Sequence, residues 1–205
     1  MNIIVYIISF SLLIVAMVVH EFAHGWVAYK LGDNTAKYSG RLTLNPLAHI
    51  DPIGTILLPI ILLISSHGRF VFGYAKPVPI NYRALKNPRR DMGLIGLSGP
   101  LANFIFAFVL SLIYRILADA LILKFTIGYL ISVNVMLGVF NLLPIPPLDG
   151  SRVFAAILPA DLSAKYNLIE PYGFIILIVL IYLRVTDIII WPFINLILKF
   201  LGVYS

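Results

Sequence analysis

Residues 3–24 read IIVYIISFSLLIVAMVVHEFAH and join an almost unbroken apolar run to two histidines and a glutamate. The apolar run ends at Val19 and contains no charged residue. A signal peptide would carry basic residues before such a run and a cleavage site after it, whereas the first basic residue here is Lys30. The pattern therefore predicts a retained membrane helix that ends near residue 31, where Leu31-Gly32-Asp33-Asn34 is a typical stop signal.

The composition of the whole chain also indicates a membrane protein. Of its 205 residues, 60% are apolar and only 12% are charged, and the mean hydropathy is +0.98. Disordered chains are rich in charge and poor in apolar residues, so this class is excluded. The net charge of +6 does not indicate nucleic-acid binding, because the basic residues are sparse in an apolar chain. Since the chain has no cysteine, a metal ion would have to be bound by His, Asp or Glu.

Further apolar segments follow the first helix and predict an all-α polytopic membrane protein. They cover residues 53–65, 94–118, 127–145, 172–183 and 188–203. Most approach the ~20 residues that a helix needs to cross ~30 Å of hydrocarbon. The segment 53–65 has only 13 residues and contains Pro59. We therefore expect it to be re-entrant or to lie along the membrane interface.

Residues 20–24, HEFAH, place two histidines and a glutamate in an arrangement typical of a metal site. Four residues on an α-helix correspond to a rotation of about 40°, so both imidazoles share one face and can bind one ion. Glu21 lies beside them, where a carboxylate can take a proton from water. Ionisable residues are costly within a membrane and are functional by default. We therefore interpret the motif as a functional site.

A catalytic zinc site needs a third protein ligand and an open coordination position. Asp149 is the strongest candidate, because it follows a proline-rich break after the helix predicted at 127–145. Irregular backbone at membrane depth is tolerated only where it lines a cavity. An alternative role for Asp149 is the N-cap of a helix over residues 151–158. The other candidates for the third ligand are Asp33, His49, Asp51, His67 and Glu170.

Three motifs together resemble the site-2 protease family of intramembrane zinc metalloproteases, peptidase family M50. HEFAH at 20–24 resembles the zinc-binding helix, and FNLLPIPPLDG at 140–150 resembles the motif that supplies the third ligand. GLSGPLANF at 96–104 resembles the Gly-Pro turn that opens the intervening helix. NPLAHIDPIGT at 45–55 and GYAKPVPIN at 73–81 resemble the minimal bacterial branch. We therefore expect a form without the PDZ or paired regulatory CBS domains of other branches.

The resemblance implies one Zn²⁺ ion per chain, bound by His20, His24 and Asp149, with Glu21 activating water. The implied function is hydrolysis of peptide bonds within or near the transmembrane segments of membrane proteins. The expected partners are transmembrane protein or peptide substrates and the lipid bilayer, and no nucleic acid. The sequence contains no feature that specifies an oligomeric state.

Three other positions receive supporting roles. Asn141 matches an asparagine thought to hold the substrate backbone or the developing oxyanion. His49 and Asn103 are candidates for hydrogen bonds that support the site. The implied architecture is a three-helix catalytic core over residues 1–158, followed by a C-terminal transmembrane hairpin over 159–205 in a single integrated domain.

The topology follows from the requirement that Asp149 meets the two histidines. Both helix ends must then lie on one side of the bilayer, so one of the three apolar segments between them must fail to cross. If that segment is 53–65, residues 30–92 share one side and carry nine basic and three acidic side chains. The positive-inside rule makes this side cytoplasmic. We expect five spanning helices in a bacterial inner membrane, the N-terminus outside and the active site toward the cytoplasm.

Two short patterns add structural predictions. Tyr38–Leu44 and Arg69–Tyr74 resemble short β-strands flanked by glycine and proline, and their edges could accept an unwound substrate as an extra strand. Gly93, Gly96 and Gly99 recur every three residues, a spacing that lets helix backbones approach closely. Plain surface hairpins and a flexible helix start are the respective alternatives.

Two other function classes are compatible with an ionisable cluster in a membrane. A small metal or proton transporter could use the same His, Asp and Glu side chains. Such a carrier favours polar residues along a path through several helices, or an inverted repeat, and the sequence contains neither. A catalytically silent relative that binds transmembrane helices is the other alternative, although the intact Glu21 argues against it.

Overall fold

The computed structural model describes residues 3–65, 73–117 and 121–203, with residues 3 and 4 described for their backbone only. These residues form helices joined by irregular loops and short 3₁₀ turns, and the described part of the chain contains no β-strand. The helices are α1 (Ile3–Lys30), α2 (Thr35–Tyr38), α3 (Pro52–Ser65, whose first turns are π-helical), α4 (Pro88–Ile116), α5 (Leu121–Asn141), α6 (Asp149–Ile157), α7 (Ala160–Asn167), α8 (Gly173–Tyr182) and α9 (Val185–Leu201).

Helix α1 ends where the sequence predicts, and the stop is a Schellman motif. The Gly32 N–H donates to the Tyr29 carbonyl and the Asp33 N–H donates to the Ala28 carbonyl. Gly32 has a φ of +107°, a conformation that glycine adopts without steric cost. The last carbonyls of the helix are thereby satisfied, so the chain turns sharply just after the HEFAH segment.

Four helical stretches are long and apolar enough to cross a membrane. They are Val5–Lys30, Pro88–Ile116, Leu121–Asn141 and Ala160–Tyr182, the last of which combines α7 and α8. Helix α3 is apolar but shorter, with 14 residues and a length of about 21 Å. Helix α9 has 17 residues and a length of about 25 Å.

The strand predicted at Tyr38–Leu44 is wrong. Tyr38 is the last residue of α2, and the following residues form turns and bends. The Gly40 N–H donates to the Lys37 carbonyl and the Arg41 N–H donates to the Ala36 carbonyl, which is a second Schellman motif. These N–H groups cap a helix and are therefore not available for a strand ladder.

The other predicted strand, Arg69–Tyr74, lies mostly outside the described residues. Its described part, Gly73 and Tyr74, belongs to an irregular segment that continues to Ile80 and forms no strand. Pro77 and Pro79 favour extended backbone in the residues that precede them, so residues 73–80 are called the extended segment. The Tyr74 N–H donates to the Gly54 carbonyl at 3.1 Å, and the Lys76 N–H donates to the His49 carbonyl at 2.8 Å. The extended segment is thus tied to the residues just before and at the start of α3.

The core is built by helix packing around α4, which contacts α1, α5 and α6, while α9 packs against α5. Ala107 of α4 and Ile131 of α5 are fully buried in this core. The predicted close approach of the glycine-rich face of α4 is confirmed. A Cβ at Gly93 would lie 2.5 Å from the Ala156 Cβ, and one at Gly96 would lie 2.9 Å from the Asp149 carbonyl oxygen.

Candidate metal centre

The structure brings His20, His24 and Asp149 together in one buried group. The Nε2 atoms of the two histidines are 3.0 Å apart, and they lie 2.9 and 3.1 Å from Oδ2 of Asp149. Each of the three residues is more than 90% buried. No other group of three metal-binding side chains comes together within residues 3–65, 73–117 and 121–203.

Hydrogen bonds on the far side of each imidazole determine which ring nitrogen carries the proton. Nδ1 of His24 lies 2.7 Å from the Ile95 carbonyl oxygen, and Nδ1 of His20 lies 2.6 Å from Oδ1 of Asn103. Carbonyl oxygens only accept hydrogen bonds, so both Nδ1 atoms must donate. In the neutral form of each ring, Nε2 therefore carries the lone pair and faces Asp149, which is the usual arrangement of metal-binding histidines.

Three lone-pair atoms that face one another at about 3 Å repel unless a cation lies between them. Tetrahedral coordination of zinc, with bonds of about 2.0–2.1 Å, separates its ligand atoms by about 3.3 Å. The observed separations are within a few tenths of an ångström of that value. The donor set and its spacing thus fit a divalent metal ion such as zinc.

The histidines beside Asp149 favour the ionised form of its carboxyl. Burial by itself raises the pKa of the Asp149 carboxyl, but the charge of His24 and hydrogen bonds with both imidazoles lower that pKa well below its usual value. The carboxylate therefore stays ionised at neutral pH, as a metal ligand must.

Gly99 of α4 lies directly against the two imidazoles. A Cβ at this position would be 2.5 Å from Nε2 of His24 and 2.6 Å from Nε2 of His20. Only a glycine lets the backbone of α4 come this close to the ligand atoms. Gly99 therefore makes room for the metal centre, a specific consequence of the glycine spacing seen in the sequence.

Asp149 reaches the histidines because the chain reverses tightly between α5 and α6. Helix α5 ends at Asn141, and a Cβ on Gly150 would lie 2.2 Å from the Leu142 carbonyl oxygen. Asp149 is the first residue of α6 and its side chain makes no capping hydrogen bond, because the N-cap position belongs to Leu148. The carboxylate is therefore directed at the imidazoles, and the alternative N-cap role is not observed.

Glu21 lies on α1 between the two histidines, and its carboxylate is held by the extended segment before α4. The Val78 N–H donates to Oε2 of Glu21 at 2.9 Å. Val78 is itself held, because its side chain packs against Gly25 of α1. The other carboxylate oxygen, Oε1, has no hydrogen-bond partner among the described residues, which leaves it free to interact with water or substrate.

Asn103 contacts the metal-binding group, whereas His49 and Asn141 do not hydrogen-bond to it. Nε2 of His49 donates to the Thr43 carbonyl at 2.9 Å, so this buried ring stabilises its own loop. Asn141 donates to the Leu137 carbonyl at 3.0 Å, at the end of α5. His67, an earlier candidate for the third ligand, lies outside the described residues.

Two contacts of the site were not predicted from the sequence. Asn134 of α5 is fully buried and its Oδ1 accepts a hydrogen bond from Nδ2 of Asn103 at 2.7 Å. An asparagine in the middle of an apolar helix is a signal that could have identified it. The bond from Val78 to Glu21 joins residues 57 positions apart and involves a backbone N–H, so no side-chain pattern reports it.

Comparison with known proteins identifies the family. The profile of peptidase family M50 matches residues 8–121 and 115–181. YwhC of Bacillus subtilis (strain 168), named as a presumed zinc metalloprotease, is 41% identical over 192 residues, which cover 89% of this chain and 84% of YwhC. Rip2 of Mycolicibacterium smegmatis, also named as a presumed zinc metalloprotease, is 30% identical over 179 residues, which cover 86% of this chain and 67% of Rip2.

Another relative is a much longer protein than this chain. Zinc metalloprotease MJ0392 of Methanocaldococcus jannaschii is 30% identical over 170 residues, which cover 82% of this chain and 38% of that protein. No solved structure matches the chain significantly. With its four apolar helices, the chain is an integral membrane protein that belongs to peptidase family M50.

Proposed function

We propose that this protein is an intramembrane zinc metalloprotease that hydrolyses peptide bonds within or near transmembrane segments of membrane proteins. The observation that carries the proposal is the convergence of three buried ligand atoms from His20, His24 and Asp149 beside the carboxylate of Glu21. Membership of peptidase family M50 and the names of the relatives support the same chemistry.

His20, His24 and Asp149 would hold the zinc ion. When bound, zinc supplies Lewis-acid polarisation of the scissile carbonyl and of a water molecule. The two imidazoles bind through Nε2, since their Nδ1–H groups are engaged by Asn103 and the Ile95 carbonyl. A fourth position for water or substrate is the usual feature of a catalytic zinc site with three protein ligands.

Glu21 is the proposed general base and acid. Its free oxygen would accept a proton as water attacks the peptide carbonyl and would then return that proton to the departing amine nitrogen. The Val78 N–H keeps the carboxylate in place by bonding to the other oxygen. This division of the two oxygens lets Glu21 transfer a proton without losing its anchor.

Asn141 is the proposed contact to the substrate backbone. Its amide uses one N–H on the Leu137 carbonyl. The remaining N–H and the Oδ1 acceptor have no partner among the described residues, so both can pair with a peptide group. An extended peptide offers one donor and one acceptor per residue once its own helix is unwound.

A net crossing of the membrane by α3 is disfavoured, which supports the re-entrant assignment. Its 14 residues span about 21 Å, less than the ~30 Å hydrocarbon core. The Tyr74 N–H bonds to the Gly54 carbonyl, so the chain returns to the depth at which α3 begins. We propose that α3 enters the membrane and that the chain leaves on the same side.

The same topology supports an orientation. If α3 makes no net crossing, Lys30 and Pro88 lie on one side, and α4 and α5 return the chain to that side for Asp149. The nine basic residues of 30–92 favour the cytoplasm for this face. We propose five crossings, including the α8–α9 hairpin, in a bacterial cell membrane with the N-terminus outside.

The test is to express the full chain with candidate single-pass membrane substrates and to compare it with Glu21→Gln. Loss of a general base typically costs 10²–10⁴-fold in rate, so cleavage should fall below detection. The chain offers a matched control, because Glu170→Gln changes the only other glutamate, which is exposed. If cleavage of every substrate survives Glu21→Gln, the protease assignment is wrong, and a transporter or a silent binding protein becomes the better interpretation.

A further inference from the structure

A chain of buried amides runs from α5 through α4 to the metal-binding face of α1. Nδ2 of Asn134 donates to the Leu130 carbonyl at 2.8 Å, and Oδ1 of Asn134 accepts from Nδ2 of Asn103 at 2.7 Å. Nδ2 of Asn103 also donates to the Ala16 carbonyl at 3.1 Å. Oδ1 of Asn103 accepts from Nδ1 of His20 at 2.6 Å. Both asparagines are fully buried.

Two backbone carbonyls, those of Leu130 and Ala16, determine the direction of every hydrogen bond between these amides. The Leu130 carbonyl can only accept, so Asn134 presents its NH₂ there and its oxygen to Asn103. The Ala16 carbonyl and the Asn134 oxygen both face one end of the Asn103 amide, which must be its NH₂. The Asn103 oxygen therefore faces His20, and Nδ1 of His20 must donate.

We propose that Asn134 is a positioning residue of the metal centre: acting through Asn103, it holds His20 in the orientation and tautomer that leave Nε2 free to bind the metal. The inference rests on the proposed zinc site. Asn134 is on a different helix from the ligands and touches none of them by hydrogen bond, so it acts only through the Asn103 amide.

The physical reason lies in the cost of a mispaired amide inside a membrane protein. If the Asn134 oxygen is removed, one N–H of Asn103 loses its acceptor at a fully buried position, where an unpaired polar group is costly. The Asn103 side chain is then held by the Ala16 carbonyl alone and gains freedom to rotate. Rotation displaces the oxygen that fixes His20, and the imidazole can then present Nε2–H to the metal instead of a lone pair.

The test uses the purified full chain in lipid nanodiscs. The zinc dissociation constant is measured by chelator competition, and the visible spectrum is recorded with cobalt in place of zinc. Asn134→Leu removes the acceptor and should weaken zinc binding 10–100-fold, the usual cost of removing such a supporting hydrogen bond, with an altered cobalt spectrum. In Asn134→Asp, burial keeps the new carboxyl protonated, so its O–H donates to the Leu130 carbonyl and its other oxygen accepts from Asn103. Zinc affinity in this variant should stay within about threefold of wild type.

Asn195→Leu provides a matched control, because Asn195 is an exposed asparagine on α9. It should bind zinc like the wild type. If Asn134→Leu fails to fold, Asn134→Ser replaces it, because the short hydroxyl bonds locally within a helix and does not reach Asn103.

The outcomes separate this inference from the proposed function. Wild-type zinc affinity and an unchanged cobalt spectrum in the Asn134→Leu or Asn134→Ser protein would overturn the positioning role while leaving the zinc site intact. Equal loss of affinity in Asn134→Asp and Asn134→Leu would also overturn it, since packing rather than the acceptor would then matter. Failure of the wild type itself to bind zinc would instead overturn the proposed function.

Discussion

Replacing Gly99 with alanine should weaken metal binding about 100-fold while leaving the helical core folded. Gly99 is where the backbone of α4 meets the ligand face of α1. The added Cβ would lie 2.5–2.6 Å from Nε2 of His24 and from Nε2 and Cε1 of His20. Ordinary carbon contacts are about 3.5 Å, so the overlap is about 1 Å with three atoms of two ligands.

The magnitude follows from how that overlap can be relieved. Either α4 moves away from α1 by about 1 Å or the imidazoles rotate out of the site. Productive geometry at such centres tolerates about 0.5 Å, and a misplacement of 1 Å costs about 100-fold in rate. We therefore expect zinc affinity and cleavage to fall by about 100-fold, which corresponds to about 2.7 kcal/mol and lies within the 1–3 kcal/mol cost of overpacking.

The assay measures zinc affinity by chelator competition and cleavage of a reconstituted single-pass substrate. The unfolding temperature of the metal-free protein is measured alongside. Gly138→Ala is the matched control, because its Cβ would overlap similarly, at 2.7 Å from the Phe104 ring, but touches no ligand. Both variants should lower the unfolding temperature, and only Gly99→Ala should bind zinc more weakly. Full zinc affinity in Gly99→Ala, or equal loss in Gly138→Ala, would refute the reasoning.

Three further predictions concern the anchor of Glu21, metal removal and topology. Val78→Pro deletes the N–H that bonds to Glu21, so turnover should fall 10–100-fold while KM and zinc content stay unchanged. Val78→Ala keeps that N–H and should resemble the wild type. Removing zinc with a chelator should lower the free energy of unfolding by about 2.7 kcal/mol, compared with the protein in zinc at 100 times its Kd. An unchanged free energy of unfolding would contradict a contribution of the metal to stability. Since the chain lacks cysteine, Lys37→Cys and Lys86→Cys should react with an impermeant thiol reagent on the same side, opposite to Lys124→Cys.

Local features of the chain were predictable because their causes are local. The HEFAH motif was placed on a helix face, and the structure has both histidines on α1 with their Nε2 atoms 3.0 Å apart. The stop after residue 31 was predicted from Gly32, and its Schellman motif uses only residues within five positions of one another. Helix length, apolar runs and capping are properties of neighbouring residues, so the sequence reports them.

The strand predicted at Tyr38–Leu44 failed for a related reason. A short segment of alternating residues carries little information about whether it forms a strand, because a strand needs a partner that the segment itself does not specify. In the structure, Ser39, Gly40 and Arg41 direct their N–H groups back to α2. A local helix cap therefore took the donors that a strand ladder would have used.

By itself, the sequence determined that the protein has apolar helices, that one of them carries HEFAH, and that a small set of acidic and histidine side chains could complete the site. Only the tertiary structure brought Asp149 rather than His49 to the histidines, oriented Glu21 through Val78, and linked His20 to Asn134 through Asn103. These contacts join residues 31 to 129 positions apart. They depend on how closely α4 approaches α1 and α6, and that approach is set by helix packing at Gly96 and Gly99.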